Sequence, residues 1–124
     1  MDTTTLHRDS IIFDGHCDTL LELLSGKRKF EERSAEGHID LPRLREGGVT
    51  AQVFAVYLED QYLPAGAVKQ TLRLLDVLHR ELAAHPDAFT LATKAADIKA
   101  AKRAGKVAAV VGLEGAEALE ERSH

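Results

Sequence analysis

The stretch Ser10-Ile-Ile-Phe-Asp-Gly-His-Cys-Asp-Thr-Leu-Leu-Glu-Leu23 holds a strand, a turn and the start of a helix. Ile11, Ile12 and Phe13 are contiguous rather than alternating, which suits a parallel strand covered on both faces over Ser10 to Gly15. Leu20, Leu21, Leu23 and Leu24 then supply the buried side of a helix that Gly26 ends, with Thr19 and Glu22 at capping-box spacing. Between the two elements stand His16 and Asp18, flanking Cys17. Two good metal ligands at the tip of a buried strand set the question that the remaining sequence must answer.

The strand–helix alternation repeats downstream. "KRKFEERSAEG" (27–37) reads as a charged irregular loop, and Leu41 to Glu46 as a short helix with Pro42 in its first turn. Val49 to Leu58 is rich in β-branched and aromatic residues and reads as a strand. Between Gly66 and His85 the spacing predicts the longest helix, its buried face formed by Val68, Leu72, Leu75, Leu78 and Leu82 and its wet face by Lys69, Arg73, Asp76 and Arg80. Residues 88–92 form a short strand, Thr93 caps a third main helix that Gly105 ends, Val107 to Gly112 form another buried strand, and Gly115 to Arg122 begin a further helix. Such an order implies an α/β fold with parallel strands and right-handed crossovers.

Composition narrows the classes. The 124 residues are 44% hydrophobic, enough for the core of at most one domain, here taken as a single domain over 1–124 with residues 1–9 as a flexible tail. A net charge of −4 without a basic stripe argues against nucleic acid as a partner. One cysteine excludes an internal disulfide and fits a reducing compartment. The polar start "MDTTTLHRDS" carries no apolar leader, and no run approaches membrane-spanning length, so a cytoplasmic chain with no membrane partner is expected.

In parallel α/β folds the site lies where strands end and loops lead to helices. In an extended segment residues i and i+2 share a side, so His16 and Asp18 can converge on one ion while Cys17 turns away. "VVGLEG" places Glu114 just past the last buried strand, and one neutral nitrogen with two carboxylates suits zinc or a similar divalent metal. The plainer alternatives are Asp18 as a helix cap and Glu114 as an acid at a helix N-terminus. Cys17 reads as a small buried hydrophobe, His7, His79 and His85 as surface or boundary residues, and His38 as structural.

"FDGHCDTLLEL" (13–23), "IDLPRLREGGVTAQVFAVYL" (39–58), "TLRLLDVLHRELAAHPDAF" (71–89) and "IKAAKRAGKVAAVVGLEGAEAL" (98–119) together resemble the membrane dipeptidase (renal dipeptidase-like) family of zinc metallopeptidases. The resemblance runs from about Ile11 to Leu119, and Cys17 stands where some members have Asn. It implies the N-terminal βα units of a (β/α)8 barrel, incomplete at this length, since a full barrel needs roughly 250 residues. It also implies two zinc ions: His16 and Asp18 match the ligands of one, and Glu114 matches the carboxylate that bridges both. The expected reaction is hydrolysis of a dipeptide by a metal-bridging hydroxide.

The family's later histidines and its substrate-binding groups have no counterpart before "EALEERSH" (117–124), and His124 is not taken to replace them. The 124 residues alone are therefore expected to be inactive. They would belong to a homodimer or associate with a missing C-terminal part. A catalytically inert fragment or interaction module is the alternative. A different metal-dependent amidohydrolase is disfavoured, because such enzymes usually open with His-x-His and position 18 is Asp.

Overall fold

A computed structural model describes residues 1–120. Four parallel strands form one sheet in the order β1-β2-β4-β3: β1 (Phe13–Asp14), β2 (Ala51–Val56), β3 (Phe89–Leu91) and β4 (Val107–Leu113). Helices α1 (Thr3–Asp9), α2 (Thr19–Ser25), α3 (Leu41–Glu46), α4 (Ala67–Ala84) and α5 (Ala95–Ala104) connect and cover them. The expected α/β class with parallel strands is present. β3 does not sit between its neighbours in sequence; it lies outside β4 and pairs only with the first three residues of that strand.

The long central pair is β2 against β4, in register from Ala51↔Ala108 to Val56↔Leu113. Successive side chains point to opposite faces, so this pair divides the core in two. On one face Phe54, Val56, Val107 and Ala109 join Leu20, Leu44, Leu74 and Leu78 from the helices. On the other, Ala51 and Ala108 meet Ala92, Ala101 and Ile98, so α5 covers the N-terminal end of that face. The C-terminal end of the same face leads to the loops after β1 and β4.

Several local expectations need correction. Residues 3–9 form α1 rather than a tail: Asp2 Oδ1 caps it by accepting from the Thr5 amide at 2.8 Å, and His7 Nε2 lies 2.7 Å from the Gly47 carbonyl. The buried stripe of α4 is Ala67, Gln70, Leu74, Val77 and Leu78, while Val68 and Leu72 are 40% and 60% exposed. The helix is leucine-rich on two overlapping stripes, and its crossing of the sheet, rather than its periodicity, selects one. The Thr19–Glu22 capping box does not form, because Glu22 pairs instead with Arg28. Thr93 does not cap α5; its amide and hydroxyl both donate to Asp97 Oδ2. After Gly115 there is a single 3-10 turn, Glu117–Leu119, in place of the expected helix start; the rest of that expected helix, with His124, lies outside the described residues.

The charged loop 27–40 is anchored by Phe30, fully buried, and by Asp40. Asp40 caps α3 through its Oδ1, which accepts from Arg43 N at 2.8 Å; its Oδ2 accepts from Ser34 N and Arg43 Nε. Burial alone would raise this carboxyl's pKa, but the three hydrogen bonds and the Arg43 charge outweigh it and hold it below the usual range. A depressed folded value means that its stabilisation is present above the unfolded value of about 3.9 and lost as pH falls through the folded one. Asp40→Ala is therefore expected to cost about 2 kcal/mol at pH 7, lessened by the hydration open to Arg43. In urea unfolding the gap between wild type and variant narrows below about pH 4; a gap independent of pH would refute the ionic part of this account.

Candidate metal centre

After Asp14, which pairs with Gln52, the chain stays against β2: the Cys17 amide donates to the Val53 carbonyl, and the Ala55 amide donates to the Cys17 carbonyl. Cys17 therefore stands opposite Phe54. Three residues are used on one strand against two on the other, which is a one-residue bulge at Gly15–His16. The bulge resets the alternation, so that Cys17 enters the main core at 7% exposure while its two neighbours, His16 and Asp18, are exposed. Burial pushes the Cys17 thiol upward in pKa, against hydrogen bonds from Thr19, and Asp14 and Asp18 push the same way. It is a neutral packing residue, as the sequence suggests.

Glu114 arrives by the same logic from β4. Its amide donates to the Val56 carbonyl at 3.2 Å, extending the ladder one residue past the strand. Val107 and Ala109 face the main core, so Glu114, odd steps away, faces the opposite side. Gly112 on that side leaves no room for a Cβ, which would meet Val53 Cγ1 at 2.8 Å.

The three side chains meet. His16 Nε2 lies 3.3 Å from Asp18 Oδ1 and 3.7 Å from Glu114 Oε2, and one ligand atom from each lies within 4.8 Å of the others. Four ligands about a tetrahedral ion with bonds near 2.0–2.1 Å stand roughly 3.3 Å apart, so small side-chain adjustments would bring this trio onto one ion. Their side chains are 52%, 54% and 48% exposed, which leaves one side open. Neither plainer alternative accounts for them: Asp18 occupies the N-cap position of α2 but makes no capping bond, and no helix of more than one turn follows Glu114 among the described residues.

Beside the trio is a cavity of ≈ 630 Å³ whose wall includes Asp14, Glu22, Arg28 and His38. Arg28 is almost wholly buried, pairs with Glu22 and donates to the Ile39 carbonyl, tying α2 to the loop before α3. Sequence spacing gave no sign of Asp14, Arg28 or the Gln52 partner described below, since each acts across elements far apart in the chain. A second described trio, Glu31, Glu81 and His85, lies at the far end of α4. There burial and the neighbouring Glu31 raise the Glu81 pKa, and His85 opposes them. This is the boundary setting expected for His85.

With this geometry in hand, known proteins supply the family. The model of the membrane dipeptidase family (peptidase family M19) matches residues 1–124. The chain belongs to that family. Dipeptidase ataJ of Aspergillus terreus is 38% identical over 89 residues, 64% of this chain and 21% of that protein. The solved dipeptidase AC, a metallopeptidase of the same family, is 30% identical with a TM-score of 0.77, over 87% of this chain and 36% of that one. A Rhodobacter sphaeroides metallopeptidase, solved with a phosphinate mimic of the dipeptide L-Ala-D-Ala, is 26% identical with a TM-score of 0.74, over 87% and 39%. The chain thus spans well under half the length of these relatives. Among its described residues no helix is long and apolar enough to cross a membrane.

Proposed function

We propose that the whole protein is a zinc-dependent dipeptidase and that this chain provides the front part of a (β/α)8 barrel with the His16–Asp18–Glu114 portion of its metal centre. The observation that carries the reading is the convergence of those three groups from two strand ends. His16 would supply a neutral nitrogen and Asp18 a carboxylate to one ion, and Glu114 would reach toward a second. When bound, such ions polarise a peptide carbonyl and make hydroxide available from water near neutral pH. The chain's own residues hold the ligands at the mouth of the sheet, leave one side of them open, and shape the adjoining cavity for a small substrate. The dipeptide mimic bound by the Rhodobacter sphaeroides relative supports a dipeptide as that substrate.

Hydrolysis of dipeptides by the whole protein, assayed with and without a chelator, tests the reading. Loss of activity on chelation and recovery with zinc are expected, and activity indifferent to chelation would defeat it.

A second reading concerns the 124 residues by themselves. Among the described residues only Glu114 would reach toward a second ion, so the isolated chain is expected to be inactive toward dipeptides. Among the described residues its sheet also has two free edges, with Ile11, Phe13, Val111 and Leu113 between 38% and 53% exposed. Sedimentation of the isolated chain should show association that grows with concentration and weakens in Phe13→Lys; a dilution-independent monomer would contradict this.

A further inference from the structure

The bulge that aims His16 is held by two side chains outside the ligand trio. Asp14 Oδ1 accepts the His16 amide at 3.0 Å, an N–H that has left the β-ladder at the bulge. The same oxygen accepts from Gln52 Nε2 at 3.1 Å, across the β1–β2 register pair. Gln52 is fully buried in β2, and its Nε2 also donates to the Val53 carbonyl at 3.1 Å. Its Oε1 has no partner among the described residues. Flipping the amide would set that oxygen against the Asp14 carboxylate and the Val53 carbonyl, so the donor orientation is imposed by two acceptors.

An orphaned buried acceptor carries the uncompensated cost of its lost hydration, and an apolar side chain of similar volume would avoid that penalty. An amide at this point makes sense if its N–H groups are needed where they are. Their effect is to fix the Asp14 carboxylate, which in turn fixes the backbone of His16. We infer that Asp14, held by Gln52, is a positioning residue for His16: the pair locks the Gly15–His16 bulge that turns the imidazole toward Asp18 and Glu114. The inference rests on the metal-centre reading above and adds to it the residues that preorganise the first ligand. Partners of this kind around a metal site change affinity by about 10–100-fold when removed.

Cobalt(II) titration of the whole protein, followed by its visible absorption and by equilibrium dialysis, gives the test, with urea unfolding of each variant alongside. Asp14→Ala is expected to weaken cobalt binding about 10–100-fold. Asp14→Asn keeps the oxygen that accepts from His16 and should stay within about threefold of wild type. Gln52→Met removes the donor and the orphaned acceptor together, so affinity should fall while stability holds or rises, which a purely structural role would not produce. Equal affinity in wild type, Asp14→Ala and Gln52→Met would overturn the positioning role and leave the metal centre standing. So would a loss in Asp14→Asn as large as in Asp14→Ala. No cobalt binding by the wild-type whole protein would instead overturn the metal-centre reading, and the inference with it.

Discussion

His16→Ala in the whole protein should lower kcat/KM for dipeptide hydrolysis about a thousandfold, the equivalent of about 4 kcal/mol of lost transition-state stabilisation. The imidazole lies 3.3 Å from Asp18 and 3.7 Å from Glu114, so its removal leaves the two strand-end carboxylates without the nitrogen that joins them. Asp18→Asn keeps the shape and an oxygen but removes the charge, and should fall between wild type and His16→Ala. Glu114→Gln should be as damaging as His16→Ala if Glu114 serves two ions, and no worse than Asp18→Asn if it serves one. Because all three side chains are about half exposed, none of these changes should lower the unfolding midpoint appreciably. Comparing metal content with activity separates a lost ligand from a lost fold. A His16→Ala protein that keeps both its metal and more than a tenth of its activity would sink the assignment.

The trio could be suggested from the chain because His16 and Asp18 are two apart and Glu114 directly follows an apolar run; spacing left the cap readings open, and the family resemblance singled the three out as ligands. What spacing could not carry was the device that makes the two-apart rule work. A regular strand continuing from Asp14 would have put His16 on the face of Asp14 and Gln52, and only the bulge sends Cys17 to the core instead. The α/β class was legible for similar reasons, since each strand and helix has its own period. The place of β3 was not: a three-residue strand has no pattern that says which edge it will join. The buried stripe of α4 was misread because Leu72 and Leu74 are equally apolar and only the sheet beneath distinguishes them. Phe30 sits in a run of seven charged residues within 27–36, so nothing around it signals a core residue.

That phenylalanine makes the core of this chain unusually concentrated. Phe54 on β2, Phe89 on β3 and Phe30 from the loop are each at most 1% exposed and meet edge-on or tilted, with ring centroids 5.0 to 5.9 Å apart. The trio ties the loop to the central strand and to the short edge strand, which has only three register pairs of its own. Phe54→Ala is expected to cost about 4 kcal/mol, from lost transfer energy and a cavity that its two aromatic neighbours can only partly fill. The whole stability of an ordinary domain is about 5–15 kcal/mol, and a sheet with two free edges should stand near the lower bound. The variant chain should therefore be largely unfolded by mild urea at 25 °C, whereas Phe54→Leu, which keeps most of the volume, should lose less than about 1.5 kcal/mol. Both must be measured at one protein concentration, because association through the exposed edges would stabilise the folded form by mass action. A Phe54→Ala midpoint close to that of wild type, with an unchanged denaturant slope, would mean that the aromatic trio is not what holds the loop and edge strand to the sheet.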